Sequence, residues 1–167
     1  CGTVSTIWGS PITGATELRD AVEFTKRWLE LGANDVEHAD HDGSASAPEV
    51  YRYFSMILDE IPDTERHIAH FHETRRMAPA SVLAALQAGI TNYEATLGGM
   101  GGQPANFLDD RPVPGTGEYY YTDPRFVGLL CLEDLLVQMD EMGIAHGYDV
   151  DRVLRLGQLM EKTVGRK

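Results

Sequence analysis

The apolar positions along this chain change period again and again, from short strand-like runs to the three- and four-residue spacing of a helix and back. A short apolar run over 4–8 reads as a first strand, followed by a Gly/Ser/Pro loop. From 16 to 31, Leu18, Ala21, Val22, Thr25, Trp28 and Leu29 fall on one helical face, and Gly32 stands where a left-handed residue ends a helix. A second strand is predicted over 35–39. After a turn at 40–44, Ser46 and Glu49 at capping-box spacing, with Pro48 in the first turn, mark the start of a second helix. Val50, Tyr53, Phe54, Ile57, Leu58 and Ile61 form its buried stripe, and Pro62 stops it. A third strand over 67–72 leads to a helix over 79–88 closed by Gly89, and a fourth strand is predicted over 91–97. A long Gly/Pro-rich loop fills 98–122. Asp123 and Pro124 then start a long helix ending near Gly143, and Asp149 opens a last helix with Val150, Val153, Leu154, Gly157 and Val164 on one face.

Strand starts recur about every 30 residues, the size of a βαβ unit. Four such units in an α/β chain fit two architectures, half of a (β/α)₈ barrel or a small doubly wound sheet. A whole barrel takes ~250 residues, and this chain has 167. There is no residue-level repeat and no shift of composition along the chain.

Composition narrows the function classes. Hydrophobic content of 43% and charged content of 24% are those of a soluble globular protein. The net charge of −12, from 26 acids against 14 bases, argues against a nucleic-acid partner. It leaves room for an anionic substrate held by a metal or a few local cations. Cys1 and Cys131 have no C-x-x-C spacing, so neither a disulfide framework nor a zinc knuckle is indicated, and a reducing cytoplasm fits. No run approaches the ~18 apolar residues of a membrane span. The N-terminus lacks the features of a signal peptide and an initiating methionine, as a fragment or a processed product would.

Five of the six histidines lie between 38 and 72. His70 and His72, one residue apart in a strand, point to the same face. Both lie at the strand's C-terminal end, where barrel enzymes place their active sites. Two imidazoles there can hold a divalent ion with oxygen ligands from elsewhere; the pattern equally fits two histidines hydrogen-bonded inside a polar barrel mouth. Asp40 ends the second strand in the same layer, as a catalytic carboxylate or as the cap of the turn before Gly43. His41 and Asp42 adjoin it, and Glu37 and His38 come earlier on that strand. Glu73 follows the histidine pair, as a group behind the ligands or as a solvated loop residue. The glycine-dense segment 98–104 suits a mobile lid or a phosphate cradle, and a flexible connection is the alternative. Tyr119, Tyr120 and Tyr121 either wall a pocket or pin the loop to the core.

Together these residues resemble the C-terminal half of the HMG-CoA lyase and isopropylmalate synthase superfamily. His70-Phe71-His72-Glu73-Thr74 is similar to its H-x-H-[DE]-T metal motif. Gly98-Gly99-Met100-Gly101-Gly102-Gln103-Pro104 resembles the glycine-rich loop of the lyase branch, as do Leu83-Ala84-Ala85-Leu86-Gln87-Ala88-Gly89 and the opening Trp8-Gly9-Ser10-Pro11. The resemblance implies half of a TIM barrel over 1–143, about four βα units, with a helical extension packed on it over 144–167. It implies a Mg²⁺- or Mn²⁺-type ion on His70 and His72. The activity implied is a carbon–carbon lyase of retro-aldol or retro-Claisen type, acting on a 3-hydroxy acid or 3-hydroxyacyl-CoA. Asp40, Gln103 and Glu73 are the catalytic candidates, and Gly101, Gly102 and His41 the substrate-binding ones. No organic cofactor is implied. The expected partners are the small-molecule substrate, and a second copy or the N-terminal half of the barrel.

Three positions depart from the family. Its first-strand aspartate and arginine region has no counterpart here. Its loop cysteine is replaced by Gln103, and its metal-binding asparagine aligns with Leu129 after Gly128. Asn106, Glu118 and Asp123, in or beside an insertion over 109–123, are the candidates for a substitute ligand, and weakened or lost metal binding is the alternative. The alternative functions are a Claisen-type acyltransferase, similar to isopropylmalate or citramalate synthase, and a barrel that has lost catalysis and serves as a binding or assembly partner.

Overall fold

A computed structural model describes residues 1–10, 14–41, 43–101, 107–108, 111–112 and 128–165. Strands β1 (Gly2–Val4), β2 (Val36–Ala39), β3 (His67–His70) and β4 (Asn92–Glu94) form one parallel sheet in the order β1-β2-β3-β4. Helices α1 (Leu18–Glu30), α2 (Ala47–Glu60) and α3 (Ala78–Ala88) are the crossovers. Parallel crossovers are right-handed, so a strand order that never reverses puts every helix on one face. A doubly wound sheet needs a reversal to place helices on both faces. The sequential order therefore decides between the two architectures in favour of a barrel segment. A two-residue hairpin, β5 (Phe107–Leu108) with β6 (Arg111–Pro112), precedes α4 (Leu132–Glu141) and α5 (Val150–Thr163).

Alternation along β2 and β3 divides the sheet's residues between its two faces. Val36, His38, His67 and Ala69 turn toward the helices and are buried. Glu37, Ile68 and His70 turn to the opposite face, and Glu94 joins His70 there through the β3–β4 register. On the helical side Val50, Tyr53, Phe54 and Ile57 of α2 are fully buried. Removing such side chains from water stabilises by about 1.5–3 kcal/mol each. Trp8 packs on the same cluster, 5.4 Å from Tyr53 and 5.9 Å from Phe71 between ring centroids. Gly2 begins β1 because the Trp28 indole lies across it, and a Cβ there would sit 2.6 Å from Cγ of Trp28.

Inside this core runs a chain of hydrogen bonds. The carbonyl of Ile61 accepts from Nε2 of His67 at 2.9 Å, which leaves Nδ1 of His67 as an acceptor. Nε2–H of His38 donates to that atom at 2.9 Å, and the Tyr53 hydroxyl donates to Nδ1 of His38 at 2.8 Å. One carbonyl thus fixes the direction of three bonds. Burial pushes both histidines below their ordinary pKa, and the neighbouring ring lowers His38 further.

The structure corrects the sequence reading in several places. The first strand ends at Val4 rather than continuing to 8, because Thr6 turns to φ 60°. Ser46 caps α2 by position, but its side chain makes no capping bond. The fourth strand stops at Glu94, and a 3₁₀ turn over Leu97–Gly99 takes its place. Of the helix expected over 123–143, the described residues show α4 beginning at Leu132. Residues 128–131 are extended instead and lie across the ends of β3 and β4. There Leu130 N–H donates to Phe71 O at 2.9 Å and Thr96 N–H donates to Leu130 O at 3.0 Å. On α5, Asp149 caps as its position predicts, accepting from Arg152 N–H at 3.0 Å. Only Val153 and Gly157 of its expected stripe are buried, while Leu154 and Val164 are exposed. The helix docks through the narrow place where Gly157 meets the Glu133 side chain, a space that a Cβ would fill. Among the described residues no helix is long and apolar enough to cross a membrane.

Candidate metal centre

The histidine pair stands at the C-terminal end of β3. Nε2 of His70 and Nε2 of His72 are 3.2 Å apart, with the ring planes at 76°. Nδ1 of His72 donates to the carbonyl of His41. Nδ1 of His70 lies 3.0 Å from Oε2 of Glu94 and 3.2 Å from Oε1 of Glu37. A carbonyl and an ionised carboxylate only accept hydrogen bonds, so these partners suit a hydrogen on each Nδ1. A neutral imidazole then keeps its lone pair on Nε2. With both rings in that tautomer, the two Nε2 lone pairs converge across the 3.2 Å gap, where a cation would relieve their repulsion. Adjacent ligands on an octahedral ion at ~2.1 Å are about 3 Å apart, which matches the observed separation. The donor set fits a divalent ion, given imidazole nitrogens with acceptors holding the far side of each ring.

The loop after β2 builds one side of this arrangement. Asp40 is 2% exposed. Its N–H donates to the His70 carbonyl at 2.9 Å, and its Oδ1 accepts from Ser44 N–H at 3.1 Å. The carboxylate thus ties down the turn that presents the His41 carbonyl to His72. The His41 ring stands edge-on to that of His72, 6.4 Å between centroids. Gly43, at φ 76°, lets the turn press on the end of β3, since a Cβ there would come within 3.0 Å of Arg75 N and 3.1 Å of His72 O.

Glu73 turns to the base of α3, where Oε2 accepts from Ala78 N–H at 3.1 Å. Burial raises its pKa above the usual carboxylate range, against the pull of the Ala78 N–H and Arg76. It borders a cavity of about 340 Å³ shared with Arg76, Gly98, Gly128 and Glu133. Leu129, where the resemblance places an asparagine ligand, is next to the site: its backbone pairs with His72 and its side chain lies against Gly101. Cys131 donates to Oε2 of Glu133 at 3.2 Å, and burial pushes its thiol up to about 12, so it is no nucleophile at neutral pH. Asp42, Gly102, Gln103, Asn106, Glu118, Tyr119, Tyr120, Tyr121 and Asp123 lie outside the described residues.

His70 and His72 are therefore brought together, with the backbone of His41 and the anchored Asp40 beside them. Two residues at the site were not picked out from sequence as candidates, Glu37 and Glu94. The signal for Glu37 was a glutamate inside a strand, on the face opposite a buried histidine. Glu94 joins the site only through the register His70↔Glu94. Burial raises the Glu37 pKa, and the charge of Glu94 beside it raises it further, against the pull of His70.

The family model described as HMGL-like matches residues 3–160 of this chain. The (R)-citramalyl-CoA lyase of Chloroflexus aurantiacus is 28% identical over 163 residues, which take in 98% of this chain and 46% of that protein. The hydroxymethylglutaryl-CoA lyase of Pseudomonas mevalonii is 27% identical over 164 residues, 98% of this chain and 48% of that one. A solved HMG-CoA lyase from Acinetobacter baumannii, in complex with coenzyme A and 3-methylmalate, superposes with a TM-score of 0.82 at 31% identity, covering 99% of this chain and 48% of that one. The hydroxymethylglutaryl-CoA lyase of Pseudomonas aeruginosa shares the fold, with a TM-score of 0.82 at 24% identity. The chain spans about half the length of the curated relatives it matches. Its four βα units are one half of a TIM barrel.

Proposed function

The chain belongs to the HMGL-like family, and from that premise we propose that it supplies half of the active site of a divalent-metal-dependent carbon–carbon lyase acting on a 3-hydroxyacyl-CoA or free 3-hydroxy acid. The observation that carries the reading is the pair of Nε2 atoms 3.2 Å apart, each on a ring whose Nδ1 is already committed. His70 and His72 are the ligands, with Mg²⁺ or Mn²⁺ as the ion. An ion held there supplies Lewis-acid polarisation of the substrate's hydroxyl and carbonyl oxygens. Asp40, buried at the same strand-end layer and fixed to the His70 backbone, is assigned the proton of the substrate hydroxyl. Loss of that proton lets the electron pair of the O–H bond form a carbonyl. The adjacent carbon–carbon bond then breaks, and its electrons pass to an enolate that is protonated on leaving. The backbone of Gly101 and Gly102, with His41, is assigned to the substrate, and Gln103 to the loop that closes over it.

The rest of the barrel must come from further βα units. Two features support this: β1 and β4 are the outer strands of the sheet, and a cavity of about 790 Å³ lies along β4 and α4, lined by Tyr93, Leu132, Leu136 and Met139 with Glu65 and His146 among its polar groups. Leu129 at the asparagine position favours a second reading, a barrel that keeps the fold without the chemistry.

One experiment separates the two. The protein and its His70→Ala/His72→Ala variant are loaded with Mn²⁺, desalted and assayed for bound metal. Both are then incubated with 3-hydroxy-3-methylglutaryl-CoA and citramalyl-CoA, together with the complementary half-barrel of a relative. Metal retained by the native protein alone, with carbonyl product released, is the expected result. Equal metal in both proteins sinks the ligand assignment. Metal without turnover of any hydroxyacyl-CoA supports the non-catalytic reading.

A further inference from the structure

A row of polar groups crosses all four strands on the face away from the helices. Thr3 of β1 donates to Oε2 of Glu37 on β2 at 3.5 Å. Glu37 Oε1 lies 3.2 Å from Nδ1 of His70 on β3, and Glu94 of β4 closes the row at 3.0 Å from the same nitrogen. The register shows how two carboxylates reach one atom. Glu94 is directly opposite His70, whereas the residue opposite on β2 is Ala39. A methyl group leaves space above it, and the longer Glu37 side chain reaches into that space from the layer below.

We propose that Glu37 and Glu94 are positioning residues: together they hold the hydrogen of His70 on Nδ1 and so keep Nε2 bare and aimed at His72. Orientation alone needs one acceptor, which is what His72 has in the His41 carbonyl. A second carboxylate adds negative charge behind the ring. That charge strengthens the donor on the far side and favours a cation there. The effect on metal affinity rests on the metal reading given above; the effect on the tautomer does not.

The three groups also admit an opposite assignment. Their ligand atoms lie within 4.8 Å of one another, close enough to hold an ion between Glu37, His70 and Glu94. That site needs a bare Nδ1, with hydrogen on Nε2 donated to His72. The two assignments demand opposite tautomers, so the tautomer decides between them.

The test is a long-range ¹H–¹⁵N correlation of the histidine side chains in the metal-free protein, with His70→Gln used to assign the signal. His70 is expected as the Nδ1–H form in the native protein and as a mixture with the Nε2–H form in Glu37→Gln/Glu94→Gln. In a Mn²⁺ titration the double variant binds about 10- to 100-fold more weakly, and Glu94→Asp stays closer to the native affinity than Glu94→Gln. Hydrogen found on Nε2 of native His70 overturns the proposal, whether or not metal binds. So does unchanged Mn²⁺ affinity in the double variant, or a second bound Mn²⁺ that the double variant loses. If His70→Ala/His72→Ala leaves Mn²⁺ binding intact, the metal reading fails by itself, and the tautomer still judges the clamp.

Discussion

Replacing Tyr53 by phenylalanine tests the buried hydrogen-bond chain with little change of shape. The ring keeps its edge-on contact with Trp8 at 5.4 Å and its neighbours Phe54 and His38. Only the hydroxyl goes. Its 2.8 Å bond to Nδ1 of His38 is lost, at a place where both residues are fully buried and no water can replace it. The direction of the chain is still set by the Ile61 carbonyl, so His38 cannot turn its lone pair away without breaking the bond to His67. An unsatisfied buried acceptor costs about 1–3 kcal/mol. With a urea m-value of about 2 kcal/mol/M, the midpoint falls by about 1 M at pH 8. Tyr93→Phe is the control: that hydroxyl donates to the Ile90 carbonyl at 2.8 Å on a half-buried side chain, and the expected loss is smaller. A Tyr53→Phe midpoint equal to that of the native protein, or to that of Tyr93→Phe, would refute the claim that the chain is closed and dry.

Three further outcomes are expected. Because burial lowers the pKa of His38 and His67 below the ordinary value near 6.5, the unfolded chain takes up protons that the folded one refuses. Their contribution is fully present above pH 6.5 and is lost as pH falls below it, so the urea midpoint declines from pH 7.5 to 5.5, and less steeply in His67→Gln; an equal slope in the variant contradicts this. Gly43→Ala strains a φ of 76° and drives a Cβ against the backbone of Arg75 and His72; a loss of at least about 1 kcal/mol and weaker Mn²⁺ binding should appear together, and unchanged stability refutes the close packing. Arg76 holds a φ of 61° with a full side chain, so Arg76→Gly should stabilise by about 1 kcal/mol, read as a raised Tm; a lowered Tm would show that the guanidinium contributes more than the strain takes away.

What the sequence determined by itself was local. Helical spacing marked the buried stripe of α2, and Gly89 marked the end of α3, because each pattern is completed within a few residues. The pairing of His70 with His72 was legible for the same reason, since two residues one apart in a strand share a face whatever the strand pairs with. Strand spacing alone left a doubly wound sheet open; the resemblance over 70–74 and 98–104 implied the half-barrel, and the strand order β1-β2-β3-β4 decided it. Local pattern failed where long-range bonds win: residues 128–131 look continuous with a helix, yet they extend because Phe71 and Thr96 take up their backbone groups. Only the tertiary structure decided what surrounds the histidines. The His41 carbonyl reaches His72 through a turn held by Asp40, and Glu37 and Glu94 meet at His70 because β2, β3 and β4 pair in one register. Register and hydrogen-bond partners join residues far apart in the chain, and a period read along one strand carries no information about the strand beside it.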